Sequence, residues 1–172
     1  MGRCIRPAID GGYIITGSFA EDGGGTDQSF VTRLVKNQYD EYEFADTPIM
    51  RIIPAGTNGY ATWIQQFKGG YLLGGSAYKN DTTRFDLFIQ QLNADRTLEW
   101  TKYYGGGDSD EFADAFVYGD TIYMAGTKGK PNKDTTYYID QIYVAKLGAA
   151  GNVIWDHTYG GTSRHYANKI MM

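Results

Sequence analysis

The feature that most constrains this chain is that it repeats itself. The phrase WTKYYGGGDSDEFADAF begins at Trp100, and WDHTYGGTSRHYANKI begins at Trp155. With Trp100 set on Trp155, Tyr104-Gly105-Gly106 falls on Tyr159-Gly160-Gly161. After one extra residue in the first copy, Phe112-Ala113 falls on Tyr166-Ala167. A weaker copy, MRIIPAGTNGYATWIQQF, puts Met50 in the Trp place and Tyr60-Ala61 in the aromatic-Ala place. Each phrase has companions. GGYIITGS starts at Gly11, GGYLLGGS at Gly69 and GDTIYMAGT at Gly119. Alternating runs follow, SFVTRLVKN from Ser29, FDLFIQQLNAD from Phe85 and DQIYVAKLGAAGN from Asp140. The unit is therefore roughly 50 to 58 residues long.

Each run within the unit is short and alternates apolar with polar residues, the period of a β-strand whose side chains point to opposite faces in turn. In FDLFIQQL, Phe85, Leu87 and Ile89 alternate with Asp86, Phe88 and Gln90, so the second face also carries an aromatic and both faces are expected to be partly covered. No segment shows a helical stripe. The 23 glycines supply the tight turns that many short strands need. Four short antiparallel strands per unit of this length is the sequence form of a β-propeller blade, so the expected fold is all-β, a propeller of four-stranded blades with about three blades present. The approximate repeats are residues 1–50, 51–100 and 101–155, with residues 156–172 starting a further blade.

The order W-x-x-x-Y-G-G, then A-x-x-I/F, G-G-Y-x-x-x-G-S/T, D-x-x-x-x-x-L and G-N-V-x-W resembles the β-propeller repeats of large bacterial secreted or cell-surface proteins. The Gly-Gly and Trp content also resembles the kelch class, although here the apolar run follows the Gly pair instead of preceding it. The resemblance is clearest from Tyr60 to Ile170 and weakest from Gln38 to Ile53. It implies an extracellular or cell-surface location, and a fold that hosts binding, scaffolding and several chemistries.

Three blades fall short of the four to eight that close a propeller and would leave exposed strand edges. Two arrangements follow as expectations: missing blades supplied by a longer chain, which the ending KIMM inside an inner-strand phrase favours, or a homodimer partner that completes the ring. The N-terminal stretch has no apolar run of signal-peptide form, because Arg6, Pro7 and Asp10 interrupt it. No run approaches the length of a membrane span. A net charge of −4 with scattered Lys and Arg argues against a nucleic-acid partner. The single cysteine, Cys4, forms no internal disulfide.

Sequence patterns of catalysis are missing. There is no G-x-S-x-G, phosphate-binding loop, dinucleotide fingerprint or H-E-x-x-H, and the two histidines, His157 and His165, stand in no zinc spacing or catalytic triad pattern. No cofactor is expected. The cluster GGGDSDEFAD offers Asp108 and Asp110 as calcium candidates, but it lacks the full pattern of a calcium loop, and the matching loops of the other copies carry no carboxylate. The connections from each outer strand to the next inner strand, GTNG, GGDSD and GTSRH, should open on one face. With the longer loops beside them they make Asn58, Asp108, Asp110, Arg164 and His165 the candidate ligand-binding residues. Trp100 and Trp155 recur at one place in the unit, which suits packing between blades. The expected function is a non-enzymatic binding or scaffolding module. The alternatives are a lectin-like carbohydrate binder and a portion of a propeller enzyme such as a glycan-active hydrolase, with a glycan or protein as the expected ligand.

Overall fold

A computed structural model describes residues 1–9, 11–20, 28–45, 50–51, 58–78, 84–106, 109–131 and 138–171. The chain is all-β, with no helix among the described residues. Consequently no helix there is long and apolar enough to cross a membrane.

Three antiparallel sheets form in succession, and in each the strands lie side by side in chain order. The first holds β1 (Gly2–Pro7), β2 (Tyr13–Phe19), β3 (Gln28–Lys36) and β4 (Tyr42–Phe44), with the short β5 (Met50–Arg51) also pairing with β3. The second holds β6 (Gly59–Phe67), β7 (Gly70–Tyr78), β8 (Phe85–Leu92) and β9 (Leu98–Tyr104). The third holds β10 (Asp110–Tyr118), β11 (Thr121–Pro131), β12 (Tyr138–Leu147) and β13 (Val153–Tyr159). The second sheet therefore ends at Tyr104, where the Tyr104-Gly105-Gly106 phrase begins, and the third starts at Asp110. The region that departs most from the repeat, between Gln38 and Ile53, is where the strands are shortest.

The hairpin turns show the repeat at the level of hydrogen bonds. In residues 37–41, 93–97 and 148–152, the first N–H donates to the last carbonyl (Asn37 to Glu41, 2.8 Å; Asn93 to Thr97, 2.9 Å; Gly148 to Asn152, 2.9 Å). The fourth residue of each turn, Asp40, Arg96 or Gly151, has positive φ and donates back to the first carbonyl. This is a type I turn closed by one left-handed residue. The same bonds link Ala8 with Gly12 and Gly11 with Ala8 between β1 and β2. Among the described residues the turn with a single left-handed residue is thus built three times, and only Gly151 places glycine there, whereas between β1 and β2 both Gly11 and Gly12 have positive φ.

The chain divides into two compact units, Met1–Leu73 with Gln90–Thr101, and Gly74–Ile89 with Lys102–Met172. In the first unit, β6 packs on one face of the first sheet. Ile14, Thr16, Ser29 and Val31 are fully buried there, as is Ala61 on β6, while Trp63 is nearly so. Ser29 Oγ donates to the Gly59 carbonyl, Gln66 Nε2 to the Pro7 carbonyl at 3.0 Å, and Ile9 N–H to the Tyr71 hydroxyl at 3.2 Å.

In the second unit the sheets pack with almost no space between backbone and side chain. A Cβ added to Gly74 would lie 2.2 Å from the Phe112 ring, and one added to Gly126 would lie 2.2 Å from Leu87 Cδ2 and 2.6 Å from the Glu111 carbonyl. Glycine is needed at both places because its neighbour occupies the Cβ position. Leu87, Phe88 and Ile89 are successive residues on β8, and none is more than 1% exposed. Since successive strand side chains point to opposite faces, both faces of β8 are covered.

Candidate functional site

The connection after β9 begins at Gly105, whose φ is 147°. Asp110 opens β10 and turns back under it. Its Oδ2 accepts from the Gly106 N–H at 2.8 Å, and its Oδ1 accepts from the Gly129 N–H at 3.0 Å. A Cβ at Gly105 would lie 2.2 Å from that Oδ2 and 2.8 Å from Asp86 Oδ1, so the two carboxylates close over a position that only glycine can fill. Asp110 as a whole residue is 2% exposed. Burial pushes its pKa up to about 6, against the pull of the two N–H bonds and of Lys128, while Asp86 adds like-charge repulsion.

Asp110 was a candidate for the open loop face and, with Asp108, for calcium. Its oxygens instead face inward and fasten the connection to the end of β11. Asp108 lies outside the described residues, as do the loop-face residues 22–27, 79–83 and 132–137. Among the described residues no group of three or more His, Cys, Asp or Glu could hold a metal ion.

The connection after β13 repeats the backbone with different chemistry. Gly160 has φ 140°, and a Cβ there would lie 2.8 Å from His165 Cδ2. Asp110 stands five residues after Gly105, and His165 five residues after Gly160, so these two share one structural place. Phe112 N–H donates to Ser76 Oγ at 2.8 Å, and Ala167 N–H donates to Thr127 Oγ1 at 3.3 Å. Ser76 and Thr127 close the matching phrases GGS and AGT. Phe112 is therefore in register with Ala167, not with Tyr166. The extra residue assumed from the sequence is absorbed within β10, where the pairing shifts between Phe112 and Asp114.

Where Asp110 is buried in one copy, the other exposes a polar cluster. Asp140 Oδ2 accepts from the Tyr166 hydroxyl at 2.8 Å and pairs with Arg164 Nε at 3.5 Å. The Asp140 carbonyl accepts from the His165 N–H at 2.7 Å. The Tyr166 ring is 57% exposed, and hydrogen bonding to Asp140 raises its hydroxyl pKa.

Of the sequence candidates, Arg164 and His165 are thus brought together around Asp140. Asn58 lies in the other unit, half-buried just before β6, with its Oδ1 enclosed and without a hydrogen-bond partner. Sequence reasoning missed Asp140 and Tyr166. Tyr166 stood in the aromatic-Ala place and read as architecture, and Asp140 read as the first residue of an alternating run.

No protein-family profile matches this sequence, and no curated protein matches it. The chemistry has to be read from the cluster itself. An exposed phenol ring beside a carboxylate and a guanidinium offers a flat apolar face with an acceptor and a forked donor at its rim. That combination can stack on a ligand while hydrogen-bonding its polar edge.

Proposed function

We propose that this chain is a non-enzymatic binding or scaffolding module built as a β-propeller of Trp/Tyr-Gly-Gly, kelch-like repeats, working outside the cytoplasm. The observation that carries the reading is the doubled fastening between successive segments. A hydroxyl near the end of the second-strand phrase receives the N–H of the following inner-strand phrase, at Ser76 with Phe112 and again at Thr127 with Ala167. A repeated contact of this kind is how blades stack radially. An experimental structure in which the three sheets do not stand around a common axis would sink the propeller.

The lectin-like reading is favoured by one feature, the exposed Tyr166 ring with Asp140 and Arg164 at its edge. Sugars present an apolar face and a rim of hydroxyls, which suits an aromatic platform flanked by charged groups. A glycan array with the purified protein tests it. Binding to a defined set of glycans, lost in both Tyr166→Ala and Arg164→Ala, is the expected result. An array without signal removes the carbohydrate reading and leaves a protein ligand.

A further inference from the structure

The cluster around Asp140 turns its acceptor inward and its donors outward. Arg164 Nε and the Tyr166 hydroxyl both reach Asp140 Oδ2, at 3.5 and 2.8 Å, so the two side chains stand on the same side of the connection. Between them the His165 N–H is held by the Asp140 carbonyl at 2.7 Å, and the His165 ring turns back against Gly160. The Asp140 side chain is 18% exposed and takes both donors on one oxygen, whereas the Arg164 side chain is 57% exposed. Only one of the five guanidinium N–H donors, the one on Nε, is directed at Asp140, which leaves the terminal fork for another acceptor. The guanidinium also opposes the rise in the Tyr166 pKa, so the fork and the phenol are neighbours. A ligand arriving from solvent therefore meets a flat aromatic face with a rim of donors beside it.

This exposure belongs to the place in the repeat. With His165 set on Asp110, Arg164 falls on Ser109 and Tyr166 on Glu111. Both of those are exposed too, although β11, β12 and β13 follow them. Packing thus requires neither a ring nor a guanidinium there. The cluster is also confined to one copy. Counting back from the matching turns at 93–97 and 148–152, Phe85 takes the place of Asp140.

We propose that this cluster binds an acidic sugar, a pyranose carrying a carboxylate, with the sugar ring stacked on Tyr166 and the carboxylate in the Arg164 fork. The inference rests on the carbohydrate reading of the site and adds the charge of the ligand. A planar guanidinium matches a carboxylate through two parallel N–H···O bonds, and a pyranose turns its C–H face to an aromatic ring. A neutral sugar would need acceptors for its hydroxyl groups, and the one carboxylate of the cluster faces inward. Asp140 is a positioning residue, holding the fork and the ring side by side at a single oxygen.

The test is an array carrying uronate- and sialate-bearing oligosaccharides, the same oligosaccharides as methyl esters, and an oligoglutamate as an acid without a sugar ring. Circular dichroism confirms that each variant is folded. The free acids should bind roughly fivefold more tightly than their esters, the scale of a charge-assisted bond at an exposed site. Tyr166→Ala should abolish binding of acids and esters alike. Arg164→Lys keeps the positive charge but has no planar fork, so the preference should fall to about twofold or less while the esters are still bound. Equal binding of acids and esters by the wild type overturns the proposal and leaves the carbohydrate reading standing. A preference that survives Arg164→Lys overturns it as well, since charge alone then suffices. Oligoglutamate held as tightly as the acidic sugars overturns it in favour of an acidic protein segment. A silent array removes the carbohydrate reading and this proposal with it.

Discussion

Strands β9 and β13 start from the same Trp phrase and end in the same Tyr-Gly-Gly, yet their surroundings differ sharply. Counting back from the matching turns, Leu87 and Ile89 of β8 correspond to Ile142 and Val144 of β12. The first pair is fully buried and the second only half-buried. Tyr104 has its hydroxyl capped by a backbone carbonyl, while Tyr159 stands 54% exposed. The residues of the two copies are alike, so the difference lies in what meets them: Leu87 lies against Gly126 of β11, and the Tyr104 hydroxyl reaches the Gly151 carbonyl. The repeat makes a surface that is apolar whether or not something covers it.

The largest test of this contrast is truncation of matched core positions. Leu87→Ala should destabilise the fold by about 2–5 kcal/mol, because the cavity beside Gly126 has no room to collapse. Ile142→Ala should cost about 1 kcal/mol or less, since its side chain is only half-buried. Urea unfolding of both variants compares them. Equal losses there would show that the third-sheet face is covered within the chain itself.

The next contrast sets buried Asp110 against His165 at the same structural place. The native Asp110 carboxyl titrates near 6 and the unfolded one near its ordinary 3.8, so the native state holds an extra proton between these values. This contribution to stability is fully present below about pH 3.8 and is lost as pH rises through 6, by roughly 3 kcal/mol. Asp110→Asn should flatten that portion of the stability–pH curve measured by thermal unfolding, whereas His165→Gln should leave the Asp110 step in place. A step that survives Asp110→Asn would assign it to another group.

The smallest effect separates the two tyrosines. Tyr104→Phe removes a buried hydrogen bond and leaves the Gly151 carbonyl short of a donor, so a loss of about 1 kcal/mol is expected. Tyr159→Phe, at a residue 54% exposed, should fall within about 0.5 kcal/mol of the wild type. A matching loss at Tyr159 would mean that its hydroxyl already has a buried partner.

Most of the strands were legible because alternation needs only local sequence. FDLFIQQL and DQIYVAKL read as strands, and they are β8 and most of β12. The expectation that both faces of β8 are covered also rested on residues alone, on Phe88 standing among the polar positions. The register between copies was harder to read. One residue inserted at Phe112 to Asp114 looks the same in a linear alignment wherever it is placed, and only the N–H bonds to Ser76 and Thr127 show that Phe112 matches Ala167. The candidate site was half legible. Arg164 and His165 lie in the expected connection, but the residue that gathers them, Asp140, comes from a strand more than twenty positions earlier. Asp110 misled because a carboxylate in a Gly-rich, Asp-rich phrase reads as solvated. Whether it faces water depends on Gly106 and Gly129, and no spacing rule connects those two to it.

By itself the sequence determined an all-β chain, its repeated unit and the order of its strands. These follow from periodicity and turn chemistry, which act over a few residues. Only the tertiary structure decided which faces are covered, which carboxylate is enclosed and which tyrosine keeps its hydroxyl in water. Those outcomes depend on groups distant in sequence that meet at less than 4 Å, where burial and hydrogen bonding, not pattern, fix the energy.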